Sequence, residues 1–177
     1  MEKIVIIING RGGCGKDTLC DITAKHYKTV NVSSITPIKE IAKKAGWTGE
    51  KDPRSRRMLA DLKRIFCEYN DLCNNYLVGC LRDFVCRLND SEIMFAHIRE
   101  ASEIEKFKYS AGKQCRVATL LVKRETDDYS HESLGNSSDD DVEAYSYDHI
   151  FVNKAPDLET LEKDFIGFLK NEILARG

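Results

Sequence analysis

Two periodicities run through the chain, and their alternation predicts its layout. Residues 3–8, KIVIII, form an apolar run too short for a helix and rich in β-branched residues, which predicts a fully buried strand. From Lys16 to about His26, Leu19, Ile22 and Thr23 recur at helical spacing, so a helix starts inside a glycine-rich stretch. TVNV (29–32) reads as a second short strand. Thr36-Pro37 predicts a helix start, with a capping hydroxyl and proline at the first helical position, and the helix IKEIAKKA stops at Gly46. Asp52-Pro53 opens a longer helix that carries Leu59, Leu62, Phe66 and Tyr69 on one face to about Asp71, and a further helix covers roughly 75–88.

The second half returns to strands. EIMFAHI (92–98) predicts a buried strand, followed by an amphipathic helix with Ile104 and Phe107 that ends at Gly112. CRVATLLV (115–122) and HIFV (149–152) are the remaining strands, and a helix with Leu158, Leu161, Phe165 and Phe168 on one face runs from Pro156 to about Ala175. Strands alternating with helices predict an α/β fold, a parallel sheet covered on both faces. The layout expected is one domain over 1–177, with a core from 1–32, 91–124 and 149–177. A helical insertion (33–90) and an acidic segment (125–148) interrupt it; the latter holds nine acidic residues and no Lys or Arg. Ligands of such sheets bind beyond the carboxyl ends of the strands, which both interruptions would overhang.

Composition narrows the class. With 177 residues, 32% charged and 42% hydrophobic, the chain reads as globular, and its net charge of −2 gives nucleic acid no reason to bind. No apolar stretch approaches a membrane span, and the N-terminus lacks the layout of a signal peptide, so a cytoplasmic protein is expected. The seven cysteines form no CxxC pair and suit neither zinc ribbons nor fingers, which predicts free thiols used as small apolar residues. Cys14 differs because it lies at a predicted helix N-terminus, where the dipole activates thiols.

The chemistry concentrates in NGRGGCGKDT (9–18). Gly10, Gly12, Gly13, Cys14, Gly15 and Lys16 satisfy the G-x-x-x-x-G-K pattern between a buried strand and a helix. In such a P-loop, backbone N–H groups and the helix dipole receive phosphate, and lysine bridges its β- and γ-groups. Asp17 stands where Ser or Thr usually ligates Mg²⁺; its carboxylate is also a hard oxygen ligand, and Thr18 follows it. A second cationic run, DPRSRRMLADLKR, holds Arg54, Arg56, Arg57, Lys63 and Arg64 against a single internal acid, Asp61. It reads either as a solvated helix face or as a clamp for the phosphate of an acceptor, with Arg57 and Lys63 the candidates.

GKDT after a glycine loop, then TPIKEIA, and finally YDHIFVNKAPDLETLEKDF resemble, in matching order, the phage-type deoxynucleoside monophosphate kinases and the broader adenylate-kinase-like branch of P-loop kinases. The resemblance implies a P-loop NTPase fold of three α/β/α layers around a five-stranded parallel sheet, with an acceptor-binding insertion and a lid. It also implies ATP and Mg²⁺ as cofactors; Asp17 and Thr18 are the candidate metal ligands, with Thr18 free to contact the α- or β-phosphate instead. Arg99 would face the transferring phosphoryl group and the acceptor, Arg124 would match the first lid arginine, and Asn153 and Ala155 would lie beside the adenine. His97 stands where that family carries an aspartate, and the acidic segment lacks the family's further lid arginines. The expected activity is conversion of a (deoxy)nucleoside monophosphate to its diphosphate, with Lys16, Arg99 and Arg124 catalytic. The alternatives are a P-loop kinase of another small phosphorylated acceptor, such as dephospho-coenzyme A, or a nucleotide-binding module with little catalysis. The expected partners are small-molecule nucleotides, with neither nucleic acid nor membrane, in a monomer or homodimer.

Overall fold

The computed structural model describes residues 2–86, 89–125 and 142–175. Five strands, β1 (Ile4–Asn9), β2 (Thr29–Ser33), β3 (Ile93–His97), β4 (Arg116–Arg124) and β5 (His149–Asn153), form one sheet in the order β2-β3-β1-β4-β5. Every pairing is parallel, and β1 lies at the centre, with Ile6 opposite Phe95 on one side and Ala118 on the other. All six residues of β1 are buried, as a strand covered on both faces requires.

Strand alternation divides the core. Ile4, Ile6 and Ile8 point to a face covered by α1 (Lys16–Ala24) and α6 (Leu158–Phe168), where they meet Leu19, Ile22, Leu161 and Phe165. Val5 and Ile7 point to the other face and meet Leu77, Leu81 and Phe84 of α4 (Leu72–Val85) and Ile104 and Phe107 of α5 (Ala101–Gly112). Each such fully buried aliphatic side chain contributes about 1.5–3 kcal/mol. The result is the expected three-layer α/β/α arrangement.

The helical insertion comprises α2 (Thr36–Lys44), α3 (Pro53–Asn70) and α4. Asp52 caps α3 by accepting from Ser55 N, with Pro53 in the first turn. The expected Thr36 cap is a correction: α2 takes Thr36 inside the helix, begins after Ile35 and has no side-chain cap bond. The fourth helix also shifts, to Leu72–Val85, because Asp71 turns the chain with φ +56° directly after α3; positions 87 and 88 lie outside the described residues. The last helix ends its regular course at Phe168 and continues as a wider π turn, Leu169–Ile173. Arg116 stabilises that turn by donating from Nη2 to the carbonyls of Ile173 (2.7 Å) and Ala175 (3.2 Å).

Asp148 ties β5 to the sheet, accepting from Thr119 N and Oγ1, both at 2.9 Å, and pairing with Lys108 at 3.2 Å. Burial pushes this carboxyl up, but the Thr119 and Lys108 bonds outweigh it and hold it below the usual range. Among the described residues, no helix is long and apolar enough to cross a membrane. The acidic segment falls largely at 126–141, outside the described residues.

Candidate phosphate-binding site

The glycine stretch leaves the carboxyl end of the central strand and closes into α1. Gly10 has φ +152°, and a Cβ there would lie 2.4 Å from Val122 O and 2.7 Å from Cys14 Sγ. The backbone therefore runs against β4 with room for hydrogen alone. Gly15 ends the loop at φ +100°, and its carbonyl accepts the first helical bond, from Leu19 N at 3.0 Å. The N–H groups of Lys16, Asp17 and Thr18 follow in the first turn, where a helix has no internal acceptors for them and carries its positive dipole end. Gly12 and Gly13 form the exposed crest, and Cys14 is buried beneath it.

Lys16 folds over this loop. Its Nζ donates to the carbonyls of Gly10 and Arg11, the latter at 2.9 Å, and lies 3.6 Å from Cys14 Sγ. These oxygens carry only partial charge, so an anionic phosphate oxygen would be a stronger partner for the ammonium.

Asn9, the last residue of β1, organises the surroundings and is 1% exposed. Its Oδ1 accepts from Gly10 N at 2.8 Å, and its Nδ2 donates to Arg99 O (3.0 Å) and Tyr147 Oη (2.7 Å). Tyr147 in turn donates to Val142 O at 2.9 Å. Reading the chain for cations and glycines overlooks this residue; its signal is a lone polar position that closes an unbroken apolar run.

The structure brings together most of the residues singled out from sequence. Arg99 is exposed just beyond β3, with its carbonyl held by Asn9. Arg124, exposed at the end of β4, pairs in register with Asn153 of β5. A Cβ on Gly15 would lie 3.3 Å from Asn153 Nδ2, so the Asn loop borders the glycine loop; Asn153 Oδ1 also accepts from Ala155 N at 3.3 Å. Two further cations join them. Arg11 lies 4.0 Å from Glu143, and Lys123 is 2.8 Å from the same carboxylate. A cavity of about 210 Å³ opens here, lined by Arg11, Leu121, Arg124, Val142 and Val152 among others.

Asp17 is exposed and Thr18 half-buried in the first turn of α1. A carboxylate and a hydroxyl at a phosphate loop are hard oxygen donors of the kind Mg²⁺ takes, so the donor set fits that ion. His97 ends β3 on the same side, with Nε2 3.1 Å from Asn31 Oδ1 and 3.7 Å from Cys20 Sγ. Burial lowers its pKa against the opposing pull of Asp17, which favours the neutral ring. The Cys20 thiol is pushed up to about 12, first by burial and then by the Asp17 charge.

The cationic run is divided by the fold. Arg57 is exposed on α3. Lys63, on the same helix, is not gathered into the loop cluster: its amine bonds to Glu100 and, at 2.8 Å, to Glu103 Oε2, with only 14% of its side chain exposed. Burial and the neighbouring Glu100 push the Glu103 carboxyl up to about 7.

No family model matches the sequence, and no curated protein is similar to it. Solved structures are similar in fold. A protein described as a candidate kinase from Chloroflexus aurantiacus matches with a TM-score of 0.50 at 15% identity, over 97% of this chain and 99% of that one. The likeness is one of fold, the three-layer P-loop NTPase arrangement. A sugar kinase from Janibacter sp. aligns over the whole of both chains at 13% identity and a TM-score of 0.48. An APS kinase from Mycobacterium tuberculosis in complex with AMPPNP and APS aligns over 96% of this chain and 99% of that one, at 10% identity and a TM-score of 0.45.

Proposed function

We propose that the chain is an ATP-dependent phosphotransferase whose acceptor is a small phosphorylated molecule, with a (deoxy)nucleoside monophosphate as the leading class. The observation that carries this reading is the gathering, at the carboxyl ends of β1, β3, β4 and β5, of the Gly10–Thr18 loop, the Asn153 loop against Gly15, and the cations Lys16, Arg99 and Arg124. The triphosphate of ATP lies on the first-turn N–H groups of α1, and Lys16 exchanges its two carbonyl partners for phosphate oxygens. Asn153 and Ala155 border the adenine. Asp17 would hold Mg²⁺ with Thr18 beside it, and that ion supplies charge neutralisation between the phosphates.

The acceptor's phosphate needs no separate base, because it is already an anion and a nucleophile. Its oxygen bonds to the γ-phosphorus as the bond to the bridging oxygen of ADP breaks. Lys16, Arg99 and Arg124 offset the charge on the transferring group, which is the largest contribution a protein makes to this reaction. Arg57 is the candidate for steering the acceptor, since guanidinium takes phosphate in a bidentate fork.

An ADP-release assay over ribo- and deoxynucleoside monophosphates, with dephospho-coenzyme A alongside, tests the reading. The expected result is ADP formation with at least one monophosphate and a loss of about a hundredfold or more in Lys16→Ala. Turnover with dephospho-coenzyme A alone would move the acceptor class, and ATP binding without turnover on any acceptor would overturn the phosphotransferase.

A further inference from the structure

A second cluster of reactive side chains lies away from the glycine loop, where the α3–α4 hairpin packs on α5. Glu103 of α5 uses its two carboxylate oxygens differently. Oε2 accepts from Lys63 at 2.8 Å, while Oε1 lies 3.7 Å from Cys67 Sγ near the end of α3. Cys73, in the first turn of α4, completes the group, and one ligand atom from each of Cys67, Cys73 and Glu103 lies within 4.8 Å of the other two. Cys73 is 1% exposed, and Cys67 and Glu103 are half-buried.

These separations suit one metal ion. Zinc bonds of about 2.3 Å to sulfur and about 2.0–2.2 Å to carboxylate oxygen set tetrahedral ligand atoms roughly 3.5–3.8 Å apart. The Cys67–Glu103 distance already has that value, so a small rotamer adjustment closes the set. We propose that Cys67, Cys73 and Glu103 form a binding site for a thiophilic divalent cation of the zinc class, with Lys63 orienting the Glu103 carboxylate from outside. Two thiolates, Glu103 and the Glu100 that shares Lys63 carry four negative charges, of which the ion's two positive charges and the Lys63 ammonium offset three. On loading, the protons of the two thiols leave to water as the metal–sulfur bonds form, the Glu103 carboxylate adds through an oxygen it already presents to Cys67, and nothing is oxidised. Water takes the fourth position. The ion would pin the acceptor-side insertion to the helix that starts two residues after Arg99.

Linear spacing hides the site. Cys67 and Cys73 are separated by five residues, unlike the short pairs of zinc ribbons, and the third ligand arrives 30 residues after Cys73 from the other side of a strand. A charged lysine that a sequence reading assigns to phosphate is here the outer partner of a ligand, a role typical of metal sites.

Cobalt titration of the reduced, chelator-treated chain tests this. A near-ultraviolet thiolate-to-cobalt charge-transfer band should saturate at one ion per chain and collapse on adding Zn²⁺. It should be lost in Cys67→Ser and Cys73→Ser, and Lys63→Met should weaken the apparent affinity by about 10–100-fold. Absence of the band in the wild-type chain, or its survival in the Cys67→Ser/Cys73→Ser double variant, overturns the site. X-ray absorption on the zinc-loaded wild-type chain avoids any dependence on variants that fold poorly. Two sulfur ligands at about 2.3 Å with oxygen completing the shell support the proposal, and an all-oxygen/nitrogen or four-sulfur shell refutes it.

Discussion

β1 buries all six of its residues, whereas α3, three times as long, buries only Ser55. The two regions are held in opposite ways. The central strand is fixed from four sides, so the loop that leaves it starts from a rigid point. The insertion helix touches its neighbours lightly and shows solvent a partly apolar face, with Ile65 48% and Tyr69 82% exposed. On the proposed function, the loop is a phosphate cradle that works only if its N–H groups are already in place, whereas α3 belongs to an acceptor surface that must admit and release a substrate. Low packing density in α3 is what a segment drawn from the less stable end of the molecule looks like.

The comparison can be broken at its rigid end first. Gly10→Ala places a methyl carbon against Val122 O at a backbone angle that L-residues rarely adopt. It should cost about 3 kcal/mol, a fall in Tm of roughly 6–12 °C by calorimetry. A drop of under 2 °C would mean the loop can step away from β4, and the rigid half of the contrast would fail.

Asp148→Ala probes the β4–β5 junction. It removes the partner of the buried Thr119 N–H and should cost about 2 kcal/mol in denaturant unfolding. The sign with pH is set by the depressed folded-state pKa of Asp148: its contribution is fully present above the usual carboxylate range and is lost as pH falls through the folded value. The gap between wild type and variant should therefore narrow below about pH 4.

The smallest effect belongs to the open helix. Tyr69→Ser should change stability by no more than about 0.5 kcal/mol, as for other exposed positions. A cost above 1 kcal/mol would show that this face is covered in solution and would erase the contrast with β1.

The same contrast decides what could be read from the chain. The glycine loop was legible because its chemistry is contiguous: strand, glycines, lysine and helix follow one another, and each constrains the next. The strands were legible as apolar runs, although β4 extends through Lys123 and Arg124, whose backbones pair with β5 while their side chains reach outward. Lys63 was not legible, since its partners stand 37 and 40 residues further along and only tertiary packing brings them to it. The π turn that closes the last helix was not legible for a similar reason: Arg116, far upstream, takes the carbonyls at its end. Asn9 was overlooked because its role lies in bonds to the distant Arg99 carbonyl and Tyr147 phenol, beside one to its neighbour Gly10, rather than in a motif.

That one amide has a mechanical consequence. The glycine loop, the segment bearing Arg99 and the segment before β5 are all referenced to the Asn9 side chain. On the proposed function, the distance between a phosphate at Gly10–Thr18 and the backbone that carries Arg99 is thus set across a pair of hydrogen bonds, not across two long stretches of chain. In-line transfer tolerates misalignment of well under an ångström, and a shared fixed point is the shortest route to that tolerance.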